Sequence, residues 1–152
     1  MPSENKRLVL RIFLELWNRG KLAVADEIFA ANYVHHDAAS PDFGKGPEGI
    51  KQTVTLYGNA FPDLQFTIEH MMEVDQFVTT RFSSRGTHKG ELRGIAPTNK
   101  PIKVEGMVIH RISGGRIVEG WVMWDALGLM QQLGVIPALE KVKPRAIKTI
   151  SN

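Results

Sequence analysis

The sequence predicts an α+β fold, with three helices at the N-terminal end followed by one curved antiparallel sheet. Two observations carry that prediction. Up to Phe61 the apolar residues recur at helical spacing, whereas from Leu64 onward they alternate with polar residues in runs separated by turn-forming stretches. A third observation pairs the last two runs: Gly114-Gly115 stands between them, a two-residue hairpin signal.

Each element has a local justification. Ser3 is placed to cap a first helix whose opening turn carries Glu4, and Leu8, Val9, Ile12, Phe13 and Leu16 give it one apolar stripe. Gly20 ends it, and Leu22 to Phe29 reads as a short second helix. Tyr33-Val34-His35-His36-Asp37 is a brief extended piece entering a loop of Ala, Ser, Pro and Gly that runs to Gly46. Pro47 suits the first turn of a third helix, Glu48 to Ala60, with Ile50, Val54, Leu56 and Tyr57 on its apolar side. Strands are predicted over 64–72, 77–88, 102–112 and 116–125, with a Gly- and Pro-rich loop from Gly90 to Lys100 between the middle two. The last strand ends on Asp125 and passes into a short apolar helix, Ala126 to Leu133.

Composition narrows the function classes. A chain of 152 residues fits one domain, expected over 1–139, followed by a tail over 140–152. The net charge of +3 resides in that tail, through Lys141, Lys143, Arg145 and Lys148 against Glu140, while residues 1–139 balance to zero. A basic surface for nucleic acid is therefore not expected on the domain. The absence of cysteine excludes disulfides, thiolate catalysis and Cys-based zinc sites. No apolar run is long enough to span a bilayer and no signal-peptide pattern opens the chain, so a cytoplasmic protein is expected.

Strand register assigns the polar residues to faces. A Gly114-Gly115 hairpin sets Val104 opposite Asp125 and His110 opposite Glu119, a turn at Asp75 sets His70 opposite Thr80, and Thr80 is set opposite His110. The expected inner face then carries Phe66, Ile68, His70, Met72, Phe82, His88, Val104, His110, Trp121, Met123 and Asp125. Phe77, Ile109, Val122 and Trp124 fall on the outer face as an expected oligomer contact. His70, His110 and Glu119 gather towards one end of the sheet, and His88 and Asp125 towards the other, within reach of His36 on its loop. Asp125 has two readings: a carboxylate whose pKa burial raises for proton transfer, or the N-cap of the helix that follows it. His35-His36-Asp37 with His70, His88 and His110 lacks any recognised ligand spacing, so no metal is expected.

Three blocks in order, GPEGIKQTVTLYGNAFPDLQFTIEHM, GTHKGELRGIAPTNKPIKVEG and GRIVEGWVMWDALGLMQQLGVIP, resemble the SnoaL-like polyketide cyclases, also called ester cyclases, of the NTF2-like superfamily. The resemblance covers residues 5–137. It implies a conical sheet around an apolar cavity, closed by the N-terminal helices packed on its inner face, in a homodimer or higher homo-oligomer. It further implies cofactor-independent acid/base chemistry, an aldol-type cyclisation or isomerisation of an apolar carbonyl-bearing small molecule. Asp125 matches the catalytic aspartate, with His88 and His36 assisting as pocket residues. Trp121, Met123, Phe66, Phe82, Val104, His110, His70 and Glu119 are the expected substrate-binding set. The sequence departs from the pattern at His35 (acidic or small is usual), Ala96 (proline) and Asn99 (glycine). Because the superfamily also holds epoxide hydrolases and non-catalytic members, a hydrolase or a pure small-molecule-binding module are the alternatives.

Overall fold

Ser3 opens the first helix as its sequence position requires, its side chain accepting from the Lys6 amide at 3.2 Å. A computed structural model of the chain describes residues 1–137; the basic tail over 140–152 lies outside the described residues. The helices are α1 (Glu4–Arg11), α2 (Val24–Ile28), α3 (Gly46–Ala60) and α4 (Ala126–Gln132). The strands are β1 (Phe29–His36), β2 (Gln65–Val74), β3 (Phe77–Thr87), β4 (Pro101–Ser113) and β5 (Arg116–Trp124). Between α1 and α2 the chain widens into a π-helical segment, Ile12–Trp17, which buries Ile12, Phe13 and Leu16. None of the described helices is long and apolar enough to cross a membrane.

The strands form one curved sheet in the order β1-β5-β4-β3-β2. The stretch expected as a brief extended piece is a full edge strand, and it joins β5 in parallel rather than extending the antiparallel meander. The helices cover the inner face, where Val9, Phe13, Leu16, Ile28 and Phe29 meet Val78, Phe82, Val108, Ile112 and Ile117. A second cluster, of Ala60, Phe61, Leu92, Ile102, Val104, Leu129 and Leu133, closes one end beneath α4 and the β3–β4 loop. That loop turns tightly at Arg93 and Gly94 (φ 47° and 87°), and the Arg93 guanidinium donates to the Ala39 carbonyl at 2.9 Å. Asn99, where glycine is usual in the resembling family, also has a left-handed backbone (φ 58°), a conformation Asn tolerates better than most residues.

The expected register is corrected at two β-bulges. On β2, Ile68 pairs with Phe82 but His70 pairs with Arg81, so the extra residue sends His70 and Met72 outward and Met71 inward. On β5, Ile117 pairs with Ile112 but Glu119 pairs with Arg111, leaving Val118 as the inserted residue. Beyond it Gly120, Val122 and Trp124 face inward, whereas Trp121 and Met123 face outward, 36% and 76% exposed. His110 therefore stands opposite Gly120, not Glu119. Between β3 and β4 the pairing differs by two residues from expectation, His110 opposite Val78, which leaves every face unchanged. Each bulge adds local twist, which bends the sheet around its helices. The apolar outer face accordingly includes Met72, Met107, Ile109, Trp121 and Met123, and not Val122 or Trp124.

Candidate functional site

Alternation along β1 builds the polar side of the site. Tyr33 is buried, so His35 and then Asp37, each two residues on, turn to the same inner face, and His36 turns out. They enter a cavity of about 120 Å³ between the helices and the sheet. Its walls are apolar: Ile12, Phe13 and Trp17 from the π-helical segment, Ile50 from α3, and Phe66, Phe82, Val104, Val108, Val122 and Trp124 from the strands. The aromatic wall is packed with its rings tilted against one another, Trp17 on Phe66 at 4.9 Å and Phe13 on Phe82 at 5.7 Å, each pair at 44°.

Asp37 is the carboxylate of that lining, its side chain only 7% exposed. Its Oδ1 accepts from the Ala39 amide at 3.0 Å, a local Asx turn, and the Trp124 indole Nε1 donates to both oxygens at 3.1 and 3.2 Å. Ser40 Oγ donates to Oδ2 at 2.7 Å, which commits the single hydroxyl proton of Ser40. Tyr57 OH, 2.7 Å from Ser40 Oγ, must then be the donor of that bond, so a chain of hydroxyls runs from Tyr57 through Ser40 to Asp37. Burial raises the Tyr57 pKa and keeps that proton on the phenol.

His35 completes the group. Its Nε2 lies 4.0 Å from Asp37 Oδ2, and its Nδ1 lies 2.9 Å from Tyr33 OH. Burial lowers the His35 pKa, opposed by the Asp37 charge, so the ring carries one proton at neutral pH. A nearby carboxylate favours that proton on Nε2, and burial holds the Tyr33 phenol well above its ordinary range, so Tyr33 donates to Nδ1. This tautomer, assigned from the hydrogen-bond pattern, aims an N–H at the cavity beside Asp37.

Behind Tyr33 lies His110, 4% exposed and with Nδ1 unpartnered. Burial is the main cause of its pKa falling to about 3, so it remains neutral. In the unfolded chain an imidazole titrates near 6.5. Between that value and about 3 the unfolded state binds the extra proton, so stability is full above about pH 6.5 and falls as the pH is lowered. Thermal melts from pH 8 to pH 4 are expected to show a loss of up to about 1.4 kcal/mol per pH unit for this group. His110→Gln is expected to flatten that slope; an unchanged slope would remove His110 as its source.

The expected site residues divide between several places. Phe66, Phe82, Val104 and His110 line the cavity. Asp125, expected on the inner face, is exposed at the end of β5 because the Val118 bulge turns Trp124 inward before it. Its Oδ1 accepts from the Gly128 amide at 2.8 Å, the N-cap of α4. His88 is buried, but in the second cluster: its ring lies 5.4 Å from Phe61, and Nδ1 accepts from the Thr98 amide at 3.2 Å, which ties the β3–β4 loop down. His36 points out, bonded to Glu119 at 2.8 Å and stacked on Trp121 with centroids 5.5 Å apart. Glu119 bridges His36 and Arg111, both of which hold its pKa down, and does not reach the cavity. His70 is exposed and accepts from Arg81 Nε at 3.0 Å. A second, outer cavity of about 440 Å³ is lined by His36, Trp121 and Met123, and shares His35, Asp37, Thr53 and Val122 with the inner one. Among the described residues no group of three or more His, Cys, Asp or Glu side chains could hold a metal ion.

Sequence reasoning missed His35, Asp37, Ser40 and Tyr57. One signal was available for the first two: they follow the aromatic Tyr33 at intervals of two along a strand.

Comparison with known proteins gives one family model, SnoaL-like polyketide cyclase, matching residues 7–133. No curated protein matches the chain. Solved structures do. AclR from Streptomyces galilaeus, provisionally described as a hydroxylase, is 28% identical with a TM-score of 0.78, over 91% of this chain and 85% of that one. A protein from Acidithiobacillus ferrooxidans, provisionally described as a polyketide cyclase, is 29% identical with a TM-score of 0.80, over 89% and 97%. IdmH from Streptomyces antibioticus, with the same provisional description, is 29% identical with a TM-score of 0.73, over 87% and 99%.

Proposed function

Since the chain belongs to the SnoaL-like polyketide cyclase family, we propose that it performs cofactor-independent acid/base chemistry on an apolar, carbonyl-bearing small molecule held in the inner cavity. The observation that carries this reading is the Asp37–His35 pair, a buried carboxylate 4.0 Å from an imidazole Nε2 at the rim of a mainly apolar chamber. Asp37 takes a proton from the carbon next to the carbonyl. His35 Nε2–H donates to the oxygen as it gains negative charge, a stabilisation that grows towards the transition state. In an isomerisation the proton returns to another carbon. In an aldol-type cyclisation the enolate carbon attacks a second carbonyl of the same molecule and the new alkoxide takes the proton from Asp37, so acid and base are restored.

The test is exchange of the α-protons of a small aryl ketone into heavy water, followed by proton NMR. Wild-type protein is expected to accelerate exchange over buffer, and His35→Phe to lose about 10²-fold or more of that rate. Acceleration untouched by His35→Phe would sink the assignment, and no acceleration with any carbonyl compound would sink the activity.

A binding role without turnover is favoured by one feature of the same site. Three donor groups already make four contacts to the Asp37 carboxylate, which takes up the roughly four lone-pair sites its two oxygens offer and leaves little acceptor capacity for a substrate proton. Recovery of an unaltered small molecule from the purified protein, together with failure to exchange its α-protons, would decide for that reading.

A further inference from the structure

The inner and outer cavities meet at a common wall, and the polar pair is part of that wall: His35, Asp37, Thr53 and Val122 line both. The two chambers differ in size and character. The inner one holds about 120 Å³ and is lined by Phe13, Ile50, Phe82 and Val108. An apolar cavity of about 150 Å³ holds one benzene molecule, so this chamber admits a single six-membered ring or a short acyl chain and no more. A fused second ring would have to displace close-packed core side chains, which interiors resist. The outer chamber holds about 440 Å³ and is lined by Trp121, Phe43, His36 and Asp42.

We propose that the chain selects a monocyclic aryl or short alkyl ketone: the ring enters the inner chamber, the carbonyl stops at His35 and Asp37, and a larger polar substituent stays in the outer chamber. This deepens the reading above and rests on it for the place of the carbonyl. The carboxylates of Asp37 and Asp42 further select an uncharged substituent over an anionic one. The inner wall supplies what such a ligand needs, since its apolar side chains compensate an aromatic ring and offer nothing to a charged group.

The experiment uses acetophenone, 2-acetylnaphthalene and 2-acetylanthracene with the full chain, read by methyl and indole NMR shifts during titration. Acetophenone is expected to bind at least tenfold more tightly than 2-acetylanthracene and to shift the methyls of Ile50 and Val108. The three-ring ketone is expected to shift only Trp121 and Met123, in the outer chamber. Ile50→Ala, which enlarges the inner chamber, is expected to bring 2-acetylnaphthalene within threefold of acetophenone. The proposal is overturned if the three-ring ketone binds as tightly as acetophenone, if it shifts the Val108 methyls, or if none of the three binds. The size order in the wild-type chain stands whether or not Ile50→Ala folds. Because no readout involves turnover, a missing proton exchange would remove the catalytic reading alone, and a wrong size order would remove the selectivity alone.

Discussion

Asp37→Asn is expected to lower the turnover rate by about 10²- to 10⁴-fold, the range contributed by a positioned base, while Asp125→Asn keeps the wild-type rate. The substitution preserves the shape of the site and removes the only carboxylate that lines the inner cavity among the described residues. It also carries a stability cost with a definite cause. All the partners of Asp37 are donors, namely the Ala39 amide, Ser40 Oγ and the Trp124 indole. An amide group offers one acceptor oxygen and one NH₂, so Ser40 must turn its hydroxyl from donor to acceptor and the charge-assisted bond it gave is lost, at about 1–3 kcal/mol of stability. The rate is therefore measured below the lowered Tm, with circular dichroism to establish folding. At the α4 cap, Asn serves nearly as well as Asp, and only Asp125→Ala is expected to cost about 0.5–2 kcal/mol, without loss of rate. The opposite pattern, activity lost with Asp125→Asn and kept with Asp37→Asn, would return the catalytic role to Asp125.

Gly120→Ala should reach the same site through space alone. Gly120 lies on β5 directly beneath the Tyr33 hydroxyl, and an added methyl group would overlap that oxygen and sit 3.1 Å from His110 Cδ2. Tyr33 is 1% exposed and has nowhere to go, so about 1–3 kcal/mol of overpacking strain is expected. Any shift that relieves it also pulls the Tyr33 hydroxyl from His35 Nδ1, releasing the tautomer that presents Nε2–H to the cavity. Both stability and rate fall together. The double variant Tyr33→Phe/Gly120→Ala distinguishes the causes: it removes the overlapping oxygen, so thermal melts should recover towards Tyr33→Phe while the rate stays low. Melts of the double variant as low as those of Gly120→Ala would show that the overlap is not the cause.

The helices and the meander were legible because stripes and alternation each leave a periodic trace. The faces of β2 and β5 beyond their bulges were not. An inserted residue shifts the period by one without leaving a residue type of its own, and Ile117-Val118 is apolar at both positions, so either side of the slip reads as buried. Trp121 and Trp124, three apart, cannot share one face of a regular strand, yet the sequence alone does not say which is inside. The acceptor settles it: Trp124 Nε1 has Asp37, contributed by a distant segment, whereas Trp121 stacks on His36 outside. The resemblance located the family, and the cavity-lining Phe66, Phe82, Val104 and His110 followed from β-strand alternation where the register held. Asp37 was hidden because its donors come from its own turn and from β5, which approach it only through the sheet's closure.

That closure has a bearing on how the chain folds. β1 and β5 are neighbours in parallel although nearly the whole sheet lies between them in sequence, His36 against Trp121. Chain-distant pairing of this kind bears the largest loop-closure entropy and forms slowly. His35 and Asp37 are delivered by the first of these strands, and Val122 and Trp124 by the last. No partly assembled meander contains the polar wall of the cavity, so a competent site exists only once the two ends of the chain have met.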